Sequence, residues 1–120
     1  MNEIYEKSLL LDFYGELLTK KQREICYLSM TEDWSLGEIA ESLNISRQGV
    51  SDAIRRSEQI LFETEEKLQM AQRFVHLMQS LDELEQKALK LKGGQELAHE
   101  IQHLKEEMLP KDRESSEEGN

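Results

Sequence analysis

Apolar side chains recur along this chain every three or four positions, and no window sustains the one-by-one alternation of a half-buried strand. The pattern predicts an all-α protein. Ile4, Leu10, Leu11, Tyr14, Leu17 and Leu18 outline a first helix from about Asn2 to Tyr14 or Glu16, with Gly15 weakening its end. Thr19 followed by Gln22 is a capping box, opening a helix that reaches about Met30 and buries Ile25, Cys26 and Leu28. Thr31 to Trp34 reads as a connector. Between Gly49 and Gly93 there is no glycine or proline, which allows one very long helix or two joined by a bend that no residue marks. Within it, Phe74, Leu77, Leu81, Leu84, Ala88 and Leu91 alternate spacings of four and three, the signature of a helix-packing seam. Leu61, Leu68, Ala71, Val75 and Met78 form a second, offset stripe. So wide an apolar face must pack on something. Gly93-Gly94 breaks the pattern, and Leu97, Ile101, Leu104 and Met108 resume it until Pro110. This last helix is expected to fold back as a hairpin or to pair with a second chain.

Ser35 to Arg56, SLGEIAESLNISRQGVSDAIRR, has the spacing of a helix-turn-helix. With Ala40 as the small residue where two helices cross, Ile39, Leu43, Ile45, Val50 and Ala53 fall where a two-helix core needs apolar groups, and the intervening polar residues face outward. Ser35 and Glu38 make a capping box, with Trp34 and Ile39 placed as a hydrophobic staple that favours a packing role for Trp34. Ser46 caps the second helix, with Ile45 and Val50 as its staple. Asn44 holds the tight turn, being one of the few non-glycine residues that tolerate a left-handed backbone.

Charge complicates a nucleic-acid reading of that motif. The 120 residues carry 15 basic and 25 acidic groups, net −10. Residues 1–60 hold 7 basic and 11 acidic groups and residues 61–120 hold 8 and 14, so neither half is basic. Non-specific affinity for phosphate comes from lysine and arginine, and here that contribution is limited to local clusters. Lys20, Lys21 and Arg23 start one helix, and Arg47, Arg55 and Arg56 lie on the second helix of the motif.

Other chemistry is sparse. Cys26 is the sole cysteine and sits among apolar neighbours, as a buried structural thiol does. The N-terminal Leu9-Leu10-Leu11 run follows acidic Glu3 and Glu6 and is too short for a signal peptide, and nothing approaches a membrane span. These features point to a cytoplasmic protein. His99-Glu100-Ile101-Gln102-His103 matches H-E-x-x-H, the helical spacing of zinc proteases. Such a site also needs a third protein ligand and a sheet edge for substrate, and few residues follow the motif. No nucleophile elbow or glycine-rich phosphate loop occurs. The chain therefore reads as a non-enzyme without a cofactor.

In a helix-turn-helix, the first residues of the second helix meet base edges while other groups grip phosphate. Arg47 and Gln48 stand at that tip, and arginine with guanine or glutamine with adenine are favoured bidentate pairs. Ser51, Asp52 and Arg55 follow on the outward face, with Arg56 beside them. Asp52 is placed to orient Arg55 or Arg56 at i+3 or i+4. Arg47, Gln48, Ser51, Asp52, Arg55, Arg56, Lys20 and Lys21 are thus the expected DNA-binding residues.

The run from Tyr14 to Leu61 resembles the helix-turn-helix of bacterial sigma factor region 4. More closely, YGELLT, DWSLGEIAE and ISRQGVSDAIRR resemble the YlxM family of small bacterial helix-turn-helix proteins, over roughly residues 3 to 90. That resemblance implies a cytoplasmic DNA-binding protein tied to the signal recognition particle pathway, whose GTPase genes neighbour those of the family. It also aligns Arg47, Gln48, Ser51 and Arg55 with the base- and phosphate-facing residues of a sigma-like recognition helix. The expected organisation is a helix-turn-helix domain at 1–60, a helical dimerisation region at 61–109 and a disordered acidic tail at 110–120. Expected partners are DNA, a second copy of the chain in a homodimer or larger homo-oligomer, and components of the signal recognition particle, with no membrane. The alternative is an adaptor that keeps the fold and binds a protein or RNA of that pathway.

Overall fold

The computed structural model describes residues 3–109, and every regular element among them is helical. The expected disordered tail and the helix end at Pro110 lie outside the described residues, as does Asn2 as a helix start. Helix α1 spans Glu3–Tyr14 and tightens into a 3-10 turn at Gly15–Leu17. Helix α2 spans Lys20–Cys26, and its capping box is formed in both directions: Gln22 N–H donates to Thr19 Oγ1 at 3.1 Å and Thr19 N–H donates to Gln22 Oε1 at 3.0 Å. The helical winding then widens into a π turn at Tyr27–Thr31, closed by Glu32 N–H on Tyr27 O, so Thr31 belongs to the helix and not to the connector. Helix α3 is Leu36–Leu43, α4 is Arg47–Leu68, α5 is Met70–Lys90 and α6 is Gln95–Met108.

The break between α4 and α5 resolves the question that the sequence left open. Gln69 adopts the left-handed region (φ 57°, ψ 27°), ending α4 without glycine or proline. A distant side chain supports it. The Tyr14 hydroxyl accepts the Met70 N–H at 3.1 Å and donates to Glu65 Oε1 at 2.7 Å, and that carboxylate oxygen also accepts the Ala71 N–H at 3.0 Å. The first amides of a helix have no partner within it, and here two of them are satisfied from α1 and α4. Burial and the hydrogen bond to Glu65 both raise the Tyr14 pKa above the usual tyrosine value.

The chain divides into two compact units, one ending at Ala71 and the other starting at Gln72. The expected boundary at residue 60 falls inside α4, which stays continuous to Leu68. In the first unit α4 is the central element, packed by α1, α2 and α3. Its helix-turn-helix core contains the predicted residues: Ile39, Ala40 and Val50 are buried with Leu43, Ile45 and Ala53 against them, and Ile25 and Leu28 of the preceding helical segment and Ile54, which the spacing did not single out, join the cluster. Cys26 is buried as expected, and burial pushes its thiol pKa up. The neighbouring Ser57 hydroxyl is fully buried and has that weakly interacting sulfur as its polar neighbour. Lys7 of α1 is tied to Glu58 of α4 at 3.1 Å. Trp34 is 37 % exposed, so the staple leaves much of the indole in solvent.

In the second unit α5 and α6 form an antiparallel hairpin. Its small core joins Ala88, Ala98 and Ile101, with Leu81 against them. Lys105 of α6 reaches back to Asp82 and to Glu85, the latter at 2.9 Å, and these carboxylates raise the lysine pKa. The turn at Gly93-Gly94 needs its glycines. Gly93 has φ 77°, and a Cβ on Gly94 would stand 1.9 Å from the Ala88 carbonyl oxygen.

Candidate nucleic-acid interface

The candidate interface is built by the turn between α3 and α4. Ser35 caps α3 through a reciprocal box with Glu38, whose two hydrogen bonds are 3.1 and 2.9 Å, and the bond from the Ser35 backbone holds the Glu38 pKa below the usual carboxylate range. Asn44 takes the left-handed conformation predicted for it (φ 56°, ψ 48°), and Ile45 N–H bonds to Ala40 O at 3.0 Å, bringing the chain round. Ser46 Oγ then accepts the Gly49 N–H at 2.9 Å and starts α4. With Ile39 and Val50 fully buried beneath, Arg47, Gln48, Arg55 and Arg56 of α4 are exposed to solvent and Ser51 and Asp52 are partly so.

Along that exposed side one carboxylate organises two donors. Asp52 Oδ1 accepts from Gln48 Nε2 at 3.0 Å and from Arg55 Nη2 at 2.6 Å. Of the two arginines that Asp52 was placed to orient, it takes Arg55, at i+3. Arg55 keeps 71 % of its side chain exposed while held in this way. Ser51 is half-buried within the row, and Arg56 is exposed.

Arg47 is exposed, and its guanidinium lies against α3 at Gly37. A Cβ on Gly37 would stand 3.0 Å from Arg47 Nη2 and 3.3 Å from Cζ and Nε. The bare backbone of Gly37 therefore gives the planar head a seat, and Arg47 leans across the two helices instead of standing at the tip of α4 alone. The sequence signal for this seat was a glycine in the first turn of α3, where larger residues are good helix formers. Lys20 and Lys21 open α2 and are exposed, and no hydrogen bond or ion pair among the described residues joins them to the α4 row.

The other candidate chemistry lies on α6, in the second unit. His99 and His103 are exposed on α6, His103 Nε2 lies 3.2 Å from Glu107 Oε1, and no three His, Cys, Asp or Glu side chains among the described residues are grouped to hold a metal ion. No helix is long and apolar enough to cross a membrane among the described residues.

Residues 1–102 match the family described as "Putative helix-turn-helix protein, YlxM / p13 like". The chain belongs to the UPF0122 family. A UPF0122 protein of Acetivibrio thermocellus is 57 % identical over 75 residues, covering 62 % of this chain and 64 % of its own length. This chain thus spans just under two thirds of that relative. A UPF0122 protein of Thermoanaerobacter sp. strain X514 is 48 % identical over 93 residues, covering 78 % of this chain and 74 % of its own. One from Bacillus cereus AH187 is 46 % identical over 99 residues, covering 82 % and 81 %. The UPF0122 match takes in all of the first unit and most of α6, so the all-helical fold and its helix-turn-helix are those of the family.

Proposed function

We propose that this UPF0122 protein is a DNA-binding regulator that lays the start of α4 in the major groove. The observation that carries this reading is the row Gln48, Asp52 and Arg55, hydrogen-bonded to one another on the solvent side of a capped helix whose other side is fixed in the core. Groups held at fixed separations on a helix are what readout of base edges requires. Arg47 and Ser51 extend the row, and Arg56, Lys20 and Lys21 supply phosphate contacts. Lysines at the start of α2 work against that helix's own dipole, so they do not serve its stability. The resemblance to the YlxM family further suggests a cytoplasmic regulator in or of the signal recognition particle pathway.

A second reading is favoured by the net charge of −10. An acidic protein starts with unfavourable phosphate electrostatics, and the same rigid row also suits an adaptor that binds a protein or RNA component of that pathway. Selection of genomic DNA fragments and total RNA in parallel on the purified chain, at near-physiological salt, separates the two. A shared DNA sequence that Gln48→Ala and Arg55→Ala lose supports the regulator. Enrichment of RNA, or of neither, rejects it in favour of the adaptor.

A further inference from the structure

We propose that the α5–α6 hairpin pairs with a second copy of this chain, α5 of each copy lying against α6 of the other. The seam read from the sequence is only half used within the chain. Leu81 and Ala88 enter the hairpin core, while Leu77, Leu84 and Leu91 remain 47, 51 and 62 % exposed. The same holds on α6, where Ile101 is buried and Leu97 and Leu104 are 48 and 50 % exposed. Seven residues make nearly two turns, so each exposed set is a row along its helix. Leu77 and Leu84 precede Leu81 and Ala88 by four residues, and Leu97 precedes Ile101 by four. In an antiparallel hairpin the same offset on both helices puts both rows on one face. This is a continuous leucine surface on a two-helix unit, half of a four-helix bundle.

The charges beside the rows select the occupant. On the side of α5 away from its own α6 stand Arg73, Ser80 and Lys87, with Glu83 and Lys90 one step farther out, an edge that is net basic, and on the corresponding side of α6 stand Glu96, Glu100 and Glu107. All of these but Ser80 are exposed. Two hairpins paired α5 to α5 would set basic edge against basic edge. A twofold axis parallel to the helices instead places the basic edge of each α5 beside the acidic edge of the other copy's α6, the complementary arrangement. It also fixes the register. The Lys105 bridges to Asp82 and Glu85 and the contact of Ile101 with the Leu81–Ala88 side set the relative heights of the two helices. At those heights Leu97 of one copy enters between Leu84 and Leu91 of the other, Leu104 enters between Leu77 and Leu84, and Lys87 comes beside Glu100. Within one chain Lys87 and Glu100 lie on opposite outer edges of the hairpin, so their pairing exists only between copies.

Sedimentation equilibrium on the full chain at micromolar concentration tests this. The wild type is expected at twice the chain mass, and Leu84→Glu at the chain mass with its helical circular dichroism retained. Lys87→Glu and Glu100→Lys, each creating two like-charge contacts, are expected to raise the dimer dissociation constant at least tenfold. Mixed in equal amounts they are expected to return to a dimer, because all cross-copy contacts are then again between opposite charges. A monomeric wild type, unchanged dissociation constants in both single variants, or a mixture that stays as weak as its components would overturn the proposal.

Discussion

The guanidinium of Arg47 rests on the backbone of Gly37, joining the first residue of α4 to the first turn of α3 across the Asn44 turn. This seat allows the role of Arg47 to be tested without removing it. Gly37→Ala places a methyl 3.0 Å from Arg47 Nη2, and the flexible end of the arginine is what gives way. Alanine is the better helix former by about 1 kcal/mol, so stability should hold or rise. Affinity for the selected DNA should nevertheless fall severalfold. Denaturant unfolding and a titration with labelled duplex, run on the same preparation, check both parts; unchanged affinity would mean the seat is incidental.

Asn44 invites the opposite kind of test, one of the fold alone. At φ 56° a residue with a Cβ is strained by roughly 1–2 kcal/mol, and asparagine lessens that through local hydrogen bonding. Asn44→Gly should therefore be neutral or stabilising, and Asn44→Ala should lose about 1 kcal/mol. Urea midpoints of the two variants, at equal slope, give the comparison. If alanine matched glycine, the turn would owe nothing to its left-handed residue.

Much of the fold was legible because helix ends are written in short-range chemistry. Ser35 with Glu38, Thr19 with Gln22, Ser46 and Asn44 each act on residues within a turn of themselves, and each forms the predicted bond or backbone angle. The α4–α5 break was not legible, because its cause is distant in sequence: Tyr14 reaches Met70, and Gln69 has no intrinsic preference that announces a left-handed angle. The π turn at Tyr27–Thr31 likewise carries no local mark in the sequence. At the candidate interface, periodicity identified the outward positions, but which donor Asp52 would hold and where Arg47 would lean depended on side-chain conformation and on the absence of a Cβ at Gly37.

The Tyr14–Glu65 cap gives a stability prediction with a pH signature. Tyr14→Phe leaves the Met70 N–H without its acceptor, an expected cost of about 1–3 kcal/mol. Amide exchange at Met70 and Ala71 should accelerate, while exchange at Val50, at the opposite end of α4, should not. Because the folded-state tyrosine pKa is raised, the cap's contribution is complete below the unfolded-state value of about 10 and is lost as pH climbs through the folded-state value. Wild-type stability should therefore decline on alkaline titration more steeply than that of Tyr14→Phe. Parallel slopes would show that the tyrosine hydroxyl does not govern the break.

Asp52 carries the sharpest prediction, since it is the one acidic group in the row and stands where phosphate repulsion is expected. Its Oδ1 holds Gln48 and Arg55 together, so it serves order at a cost in attraction. Asp52→Ala removes both effects at once. The exposed pair is worth little to stability, within about 1 kcal/mol, and the fold should survive. Non-specific DNA affinity should rise, as one repelling charge is gone and Arg55 is released toward phosphate. Preference for the selected sequence over random duplex should fall, because Gln48 and Arg55 are no longer held at a fixed separation. Asp52→Asn divides the two effects: it keeps an acceptor for Gln48 and Arg55 while removing the charge, so affinity should rise with most of the preference retained. Binding measured for selected and random duplexes over a range of salt concentrations distinguishes these outcomes. If both variants simply bound all DNA more tightly, with the preference untouched, Asp52 would be a repelling charge and nothing more.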